Sequence, residues 1–241
     1  MKSKDKNILR GKVISKLYPY YEEKGFIFKK TIANFVKNDF WVLWGEASTH
    51  IDSLVFRPQL WVFNESIKSI MIKVFNNKNQ LNSVIHRGQS NEFAQEMGIK
   101  KFKNSRYNYK SEGGESYFYN IEMETNLSPI IADHIDFMDK VGIPFFEKNN
   151  TLKGIDEYLN NRILKLPWEI LKENNLSNLL VHPLHKREVL SGIIAAHLIE
   201  NPRLKELTDK YIYIFNENNY ILDDLKKILL FFEDYQKPIS I

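Results

Sequence analysis

The fold is decided by residues 16–46, which read KLYPYYEEKGFIFKKTIANFVKNDFWVLWGE. An apolar stripe of helical period runs into this stretch and ends at Gly25, and aromatic residues in strand-like alternation follow. Glycine tolerates the left-handed conformation that closes many helices, so we expect the first helix to end at Gly25. The stripe consists of Leu9, Val13, Leu17 and Tyr21.

Strands are predicted on both sides of Asn38-Asp39. Both residues tolerate positive φ, which predicts a hairpin with a two-residue turn. A further strand is predicted over residues 54–63, with a bulge or an open side at Pro58, because proline donates no hydrogen bond. Asn64 then has the chemistry of an N-cap. The helix that it would begin has a buried face made of Ile67, Ile70, Met71, Val74 and Phe75.

The second half of the chain has mainly helical periodicity. Residues 76–114 show little pattern beyond a strand near Val84–His86, and another strand is expected after Gly113-Gly114. From Ser128 onward helices follow one another, the first with a stripe of Ile131, Ile135, Met138 and Val141 and a stop at Gly142. We therefore predict an α+β fold, an antiparallel sheet flanked by amphipathic helices. The expected lobes are 1–125 with the sheet and 126–241, mainly helical and packed on it, or both merged into one domain.

Composition narrows the chemistry. The 241 residues are 43% hydrophobic and 13% aromatic, which suffices for a packed core. There is no cysteine, which excludes disulfides, thiolate nucleophiles and Cys-ligated zinc. The charged start, MKSKDKNILR, does not resemble a signal peptide, and no apolar run approaches the roughly 20 residues of a membrane span. We expect a cytoplasmic protein with no membrane partner.

The basic balance is a weak indication of nucleic-acid binding. The net charge is +4, but the excess comes from lysine, whereas readers of nucleic acid rely on arginine. One segment interleaves cations with aromatic rings, as single-strand binders do. Its alternative is a solvated loop of a lysine-rich protein, which we favour, and we expect no nucleic-acid partner. The candidate residues are Lys100, Lys101, Lys103, Arg106, Tyr107 and Tyr109.

Metal and cofactor motifs are weak or missing. His182 and His185 are three residues apart, a spacing that metal ligands use. Pro183 lies between them and prevents both from lying within one regular helix, so we favour no metal site. The sequence has neither a P-loop nor a GxGxxG fingerprint, and no cofactor is expected.

Aromatic side chains crowd the predicted strands. Such residues form the interior of most domains, and they also line apolar ligand grooves. We expect a core role for most of them, with a groove as the alternative. The residues are Trp41, Trp44, Trp61, Phe35, Phe40 and Phe56.

Several segments resemble a bacterial family of unknown function, in which an N-terminal helix ends at a Gly-Phe pair and leads into aromatic antiparallel strands. They are residues 21–28, residues 35–44, IPFF with TLKGIDEYL over 143–159, and HPLHKREVLSGIIAAHLIENP over 182–202. The resemblance implies the helix-then-sheet order. It implies no activity, cofactor or partner.

Two functional hypotheses follow. The first is a non-enzymatic binding or interaction protein with a protein partner, for example of the immunity or adaptor type. The second is an enzyme with a dispersed carboxylate and histidine site in a groove between the two lobes, for which Glu122 and Glu124 are among the scattered carboxylates.

Overall fold

The computed structural model describes residues 3–30, 34–47, 54–76, 84–88, 93–94, 97–98, 108–111, 114–117, 119–173, 183–215 and 219–235. It has the predicted α+β architecture. The helices are α1 (Ser3–Glu23), α2 (Glu65–Phe75), α3 (Ser128–Phe137), α4 (Ile143–Lys148), α5 (Leu152–Lys165), α6 (Trp168–Glu173), α7 (Pro183–Leu198), α8 (Leu204–Ile214) and α9 (Asn219–Tyr235). The strands are β1 (Ile27–Lys29), β2 (Asn34–Lys37), β3 (Phe40–Ala47), β4 (Leu54–Val62), β5 (Ile85–Gly88), β6 (Asn108–Ser111), β7 (Gly114–Tyr117) and β8 (Tyr119–Ile121).

The main sheet has the spatial order β1-β2-β3-β4-β5, and β8 also pairs with β4. Strands β1 to β4 pair antiparallel in chain order, and β8 pairs antiparallel with Leu54–Phe56. Pro58 therefore lies beyond the end of the β8 ladder, where its missing N–H leaves that ladder intact. Strands β6 and β7 form a separate two-stranded sheet.

Helix α1 ends at the predicted glycine. Gly25 has a φ of 80°, its N–H donates to the Glu22 carbonyl at 2.9 Å, and the Phe26 N–H donates to the Tyr21 carbonyl at 2.8 Å. This pair of bonds is the Schellman arrangement. The Tyr21 and Phe26 rings also meet edge to face, with centroids 5.4 Å apart. The cap thus directs the chain from α1 straight into β1.

The predicted hairpin is confirmed. Lys37 pairs with Phe40 across the two-residue turn, and Asn38 has a φ of 50°. Asn64 caps α2, because its side-chain oxygen accepts a hydrogen bond from the Ile67 N–H at 3.1 Å. The turn depends on a residue that tolerates positive φ, and the cap depends on a side chain that bonds an N–H group with no partner within the helix.

One face of the sheet forms the core with α1 and α4. Phe35 stacks on Tyr21 of α1 with ring centroids 4.0 Å apart, and Phe40 stacks on Phe146 of α4 at 4.8 Å. Residues opposite each other in antiparallel strands share a face, so the register extends this core face along the strands. Its fully buried members include Phe35, Val42, Leu60 and Val62.

Gly142 does not stop the helix that begins at Ser128. A π-helical turn, Met138–Gly142, joins α3 directly to α4, so the predicted link around Pro144 is helical as well. Gly142 packs closely: an added Cβ would lie 2.6 Å from Met138 Sδ, which would have to shift, and at an ordinary contact distance of 3.5 Å from a Leu60 methyl group.

The chain divides into two compact units. We name Met1–Val62 with His86–Glu147 the sheet unit, and Phe63–Ile85 with Lys148–Ile241 the helical unit. These limits differ from the expected lobes, because α3 and α4 group with the sheet and α2 groups with the C-terminal helices. The assignment of two separate domains stays a prediction.

Candidate functional site

Helix α3 carries two consecutive buried polar residues in the sheet unit, Asp133 and His134. Asp133 is 8% exposed and His134 is fully buried. Each is bonded to a buried tyrosine from another element, Tyr119 of β8 and Tyr21 of α1 respectively. Buried titratable groups with specific partners are candidates for a functional site, although structural networks contain them as well.

Asp133 is only partly satisfied. Its Oδ2 accepts a hydrogen bond from the Tyr119 hydroxyl at 2.7 Å, while its buried Oδ1 has no hydrogen-bond partner. Burial raises the pKa of Asp133 to about 6, against the opposing effect of the Tyr119 hydrogen bond, and the charge of Asp136 raises it further. Asp133 can therefore exchange a proton near neutrality.

Unlike Asp133, His134 does not exchange a proton near neutral pH. Burial lowers the pKa of His134 to about 3, so the ring is neutral at pH 7. Its Nε2 lies 2.6 Å from the Tyr21 hydroxyl, and burial also raises the pKa of Tyr21. A neutral imidazole beside a neutral phenol is a stable arrangement, because neither group carries a charge into the core.

The opposite face of the sheet carries a row of apolar side chains. Register places Ile27, Val36, Trp41 and Trp61 side by side on β1 to β4. Trp61 meets the His86 ring edge to face at 5.3 Å. Both tryptophans are half-buried, Val36 is buried, and Ile27 is 71% exposed. The exposed end of the row is therefore its β1 end.

We define the β1 edge surface as Ile27, Lys29, Lys30 and the ring of Trp41. Lys29 and Lys30 are exposed, and Lys29 Nζ lies 5.5 Å from the centre of the Trp41 ring, within the range of a cation–π contact. Among the described strands, β1 pairs with β2 alone. Neither strand contains an aspartate or glutamate, so the surface is apolar and basic.

The helical unit has a buried polar network of its own. The Asn160 amide donates to Asp156 at 2.7 Å and to the Gly192 carbonyl at 2.8 Å, and it accepts from the Tyr211 hydroxyl at 3.3 Å. The second Asp156 oxygen accepts from Asn201 at 2.8 Å. A Cβ at Gly192 would collide with Asn160. The network joins α5, α7 and α8, and its partners satisfy each other.

Lys210 of α8 is also buried, at 2% exposed. Its Nζ donates to the carbonyls of Leu164 at 3.1 Å and Leu166 at 2.8 Å, and lies 3.1 Å from Glu206. These carbonyls end α5, where a cation complements the helix dipole. Arg203 first and Lys210 second lower the pKa of Glu206 to about 2. We therefore interpret this cluster as one that stabilises the packing of α8 on the end of α5.

The side chains of the candidate nucleic-acid residues all lie outside the part of the chain that the structure describes. Lys100, Lys101, Lys103, Arg106 and Tyr107 lie outside the described residues, and so does the side chain of Tyr109 in β6. Their binding role stays a prediction.

The side chains of the two candidate metal ligands also lie outside the part of the chain that the structure describes. His182 lies outside the described residues, and the side chain of His185 in α7 does as well. Among the described side chains, no group of three or more His, Asp or Glu could hold a metal ion. Glu122 and Glu124 follow β8 and are exposed.

The aromatic residues divide between the two faces. Phe35 is fully buried on the core face, and Phe40 stacks there on α4. Trp41 and Trp61 are on the other face, where the alternative of a groove remains a hypothesis. The side chains of Trp44 and Phe56 lie outside the described part of the chain.

Asp133 and His134 were not singled out from the sequence. The predicted stripe of α3 used Ile131 and Ile135, but both are only half-buried. The sequence does contain a signal for this buried face, the i, i+3, i+4, i+7 spacing of one helix face. The four residues with this spacing are all buried: Ile130, Asp133, His134 and Phe137. The pattern was missed because Asp and His count as polar when their partners are unknown.

No protein-family model, no curated protein and no solved structure matches this chain. The resemblance to a bacterial family therefore stays a prediction. Within the described residues, no helix has both the length and the apolar composition that crossing a membrane requires.

Proposed function

We propose that this chain is a non-enzymatic binding or interaction protein, of the immunity or adaptor type, whose protein partner docks at the β1 edge surface. The observation that supports this is Ile27, a large apolar side chain that is 71% exposed on the outermost strand of the sheet. A cytoplasmic setting belongs to the same proposal and fits a chain without cysteine.

The chemistry of the surface favours an acidic partner. Lys29 and Lys30 supply positive charge, and opposite charge on the partner would increase the association rate. An edge strand can also accept an added strand from a partner through its outer N–H and C=O groups. Lysines on a short edge deter pairing between two copies of one chain, so the proposed partner is a different protein.

The test is co-purification from the native host with substituted surfaces. We expect an acidic protein to accompany the wild type at low salt. Ile27→Asp and the pair Lys29→Glu, Lys30→Glu should each weaken the isolated complex at least tenfold, because they remove the apolar contact or reverse the charge. Titration calorimetry with the recovered partner would give these affinities.

Leu230→Asp is the matched control. Leu230 is an apolar residue of α9 that is 58% exposed, so its substitution changes charge and exposed apolar area in the same way at a different surface. It should leave the affinity unchanged. Recovery of the protein alone at every salt concentration, or equal losses for Ile27→Asp and Leu230→Asp, would refute the proposed surface.

A second function, an enzyme with a dispersed carboxylate and histidine site, is favoured by Asp133. A carboxyl with a pKa of about 6 can act as general acid or base at neutral pH. A screen against esters, amides, phosphate esters and glycosides would test it. Activity that Asp133→Asn abolishes, without loss of folded structure, is the supporting result; activity that survives this substitution would locate the chemistry elsewhere.

A further inference from the structure

Strand β8 has a short described backbone ladder and a buried side-chain hydrogen bond to α3. It pairs with β4 over three residues only, from Leu54 to Phe56. Its Tyr119 is 1% exposed, and the Tyr119 hydroxyl donates to Asp133 of α3 at 2.7 Å. Among the described side chains, this Tyr119–Asp133 hydrogen bond gives β8 a polar connection to α3.

That carboxyl group is poorly suited to being charged. Oδ1 of Asp133 is buried and accepts no hydrogen bond, and a buried carboxylate with a single donor carries much of the cost of lost hydration. Asp136, one turn along α3, adds a second negative charge in its neighbourhood. A protonated Asp133 avoids this cost, because it places only a dipole in the same space.

Among the described side chains, the titratable groups near Asp133 do not neutralise it. Tyr119 of β8 bonds to it as a neutral phenol. Tyr21 of α1 bonds to His134 instead, and Tyr20 of α1 bonds to Asp139 at 3.0 Å. Asp136 is paired with Lys140, so that lysine is engaged on the exposed side of the helix.

We propose that Asp133 and Tyr119 form a proton-operated latch, which holds β8 against α3 when Asp133 is protonated and releases β8 as the carboxyl group ionises. This inference is independent of the proposed partner surface. Release exposes the Asp133 carboxylate to water and breaks the short β4–β8 ladder, while the α3 helix and the His134–Tyr21 bond stay in place.

The direction with pH follows from linkage. Asp133 has a pKa of about 6 in the closed state and about 4 in water. The closed state binds more protons, so closure is strongest below about pH 4, weakens as pH rises through 6 and then levels off. Opening of β8 should become roughly 20-fold more frequent between about pH 4.5 and 7.5.

Hydrogen exchange followed by mass spectrometry tests the latch. Protection factors of the amides in residues 119–121 are first normalised for the intrinsic exchange rate. In the wild type we expect them to fall roughly 20-fold between about pH 4.5 and 7.5. In Asp133→Asn they should be high and independent of pH, because the amide oxygen still accepts the Tyr119 hydrogen bond and carries no charge. Tyr119→Phe should lower protection at both pH values and keep the pH dependence.

Local opening can be told apart from global unfolding. Global unfolding exposes both Asp133 and His134, and the larger pKa shift of His134, to about 3 in the folded protein, makes unfolding more frequent in acid. Opening of the latch has the opposite pH dependence, because it becomes more frequent as the pH rises. Protection of β8 that is constant with pH in the wild type, or that changes equally in Asp133→Asn, would overturn the proposal.

Discussion

At the scale of single residues, the sheet unit depends on pairs of buried polar groups. The contact between Tyr21 and His134 joins α1 to α3 inside the core, where water cannot replace a lost partner. A buried group that loses its hydrogen bond costs about 1–3 kcal/mol. This cost makes the pair sensitive to the removal of one oxygen atom.

Tyr21→Phe should lower the free energy of unfolding by about 1–3 kcal/mol. Urea denaturation monitored by circular dichroism measures it. Tyr18→Phe is the control, because the Tyr18 hydroxyl bonds to Glu22 at 3.3 Å on the exposed side of the same helix, and we expect a change within about 0.5 kcal/mol. Equal effects of the two substitutions would contradict the role of the buried bond.

His134 also predicts how stability depends on pH once Asp133 no longer titrates. Burial lowers the pKa of His134 to about 3 in the folded state, so the unfolded state binds a proton that the folded state does not. The contribution of neutral His134 to stability is therefore complete above about pH 6.5 and is lost as the pH falls. Burial lowers the pKa of His197 as well, with the same sign. In Asp133→Asn, the free energy of unfolding should fall by at least about 1 kcal/mol between about pH 7 and 5.5. Urea denaturation at both pH values gives this difference, and equal or greater stability at the lower pH would contradict it.

At the scale of elements, α1 has two glycines, Gly11 within the helix and Gly25 just after its end, at which alanine should have opposite effects on stability. Gly25 holds the left-handed C-terminal position with a φ of 80°, whereas Gly11 lies inside the helix with open space where a Cβ would be. Alanine strains the first position and favours the second, because it avoids positive φ and has the higher helix propensity.

Gly25→Ala should therefore destabilise the protein by about 1–2 kcal/mol, while Gly11→Ala should stabilise it by about 0.5–1 kcal/mol. Steric conflict does not contribute at Gly25, since the nearest atom to an added Cβ is Lys37 Cε at 3.6 Å. Thermal and urea denaturation of the two variants measure these changes. Two changes of the same sign would refute this account.

Local chemistry explains which elements the sequence predicted well. The end of α1 at Gly25, the turn at Asn38 and the cap at Asn64 each depend on one residue with a distinct conformational preference. The buried face of α3 depends instead on Tyr21 and Tyr119, partners 113 and 14 residues away from His134 and Asp133. The candidate site could not be predicted because a polar residue becomes a core residue only when such a distant partner is known.

At the scale of the whole molecule, the helical unit is discontinuous in sequence. Helix α2 belongs to it although α2 follows β4 directly. Its Ile67 and Met71 are buried, and Lys227 of α9 lies 5.9 Å from the centre of the Phe75 ring. A sequence pattern cannot reveal this, because the amphipathic face of α2 does not identify the surface that it covers.

A fragment of residues 148–241 alone should therefore be poorly folded. We expect a fragment that also carries residues 63–76, joined by a flexible linker, to gain helix content and a cooperative thermal transition, because α2 restores buried apolar contacts. Circular dichroism of both fragments compares them. A fully cooperative 148–241 fragment would show that α2 is dispensable.

The π-helical turn has a consequence for how α3 and α4 can diverge in sequence. Such a turn amounts to one residue inserted into a continuous helix, and each residue turns a helix by about 100°. A π turn is wide enough to hold its extra residue without rotating the helix that follows, so deletion of one residue within Met138–Gly142 would return this turn to regular α geometry and leave α4 facing the sheet. Deletion of one residue within the regular turns of α3 would instead rotate Phe145 and Phe146, now 0% and 2% exposed, away from the sheet. We therefore expect the protein to tolerate a one-residue deletion at the π turn far better than one within α3.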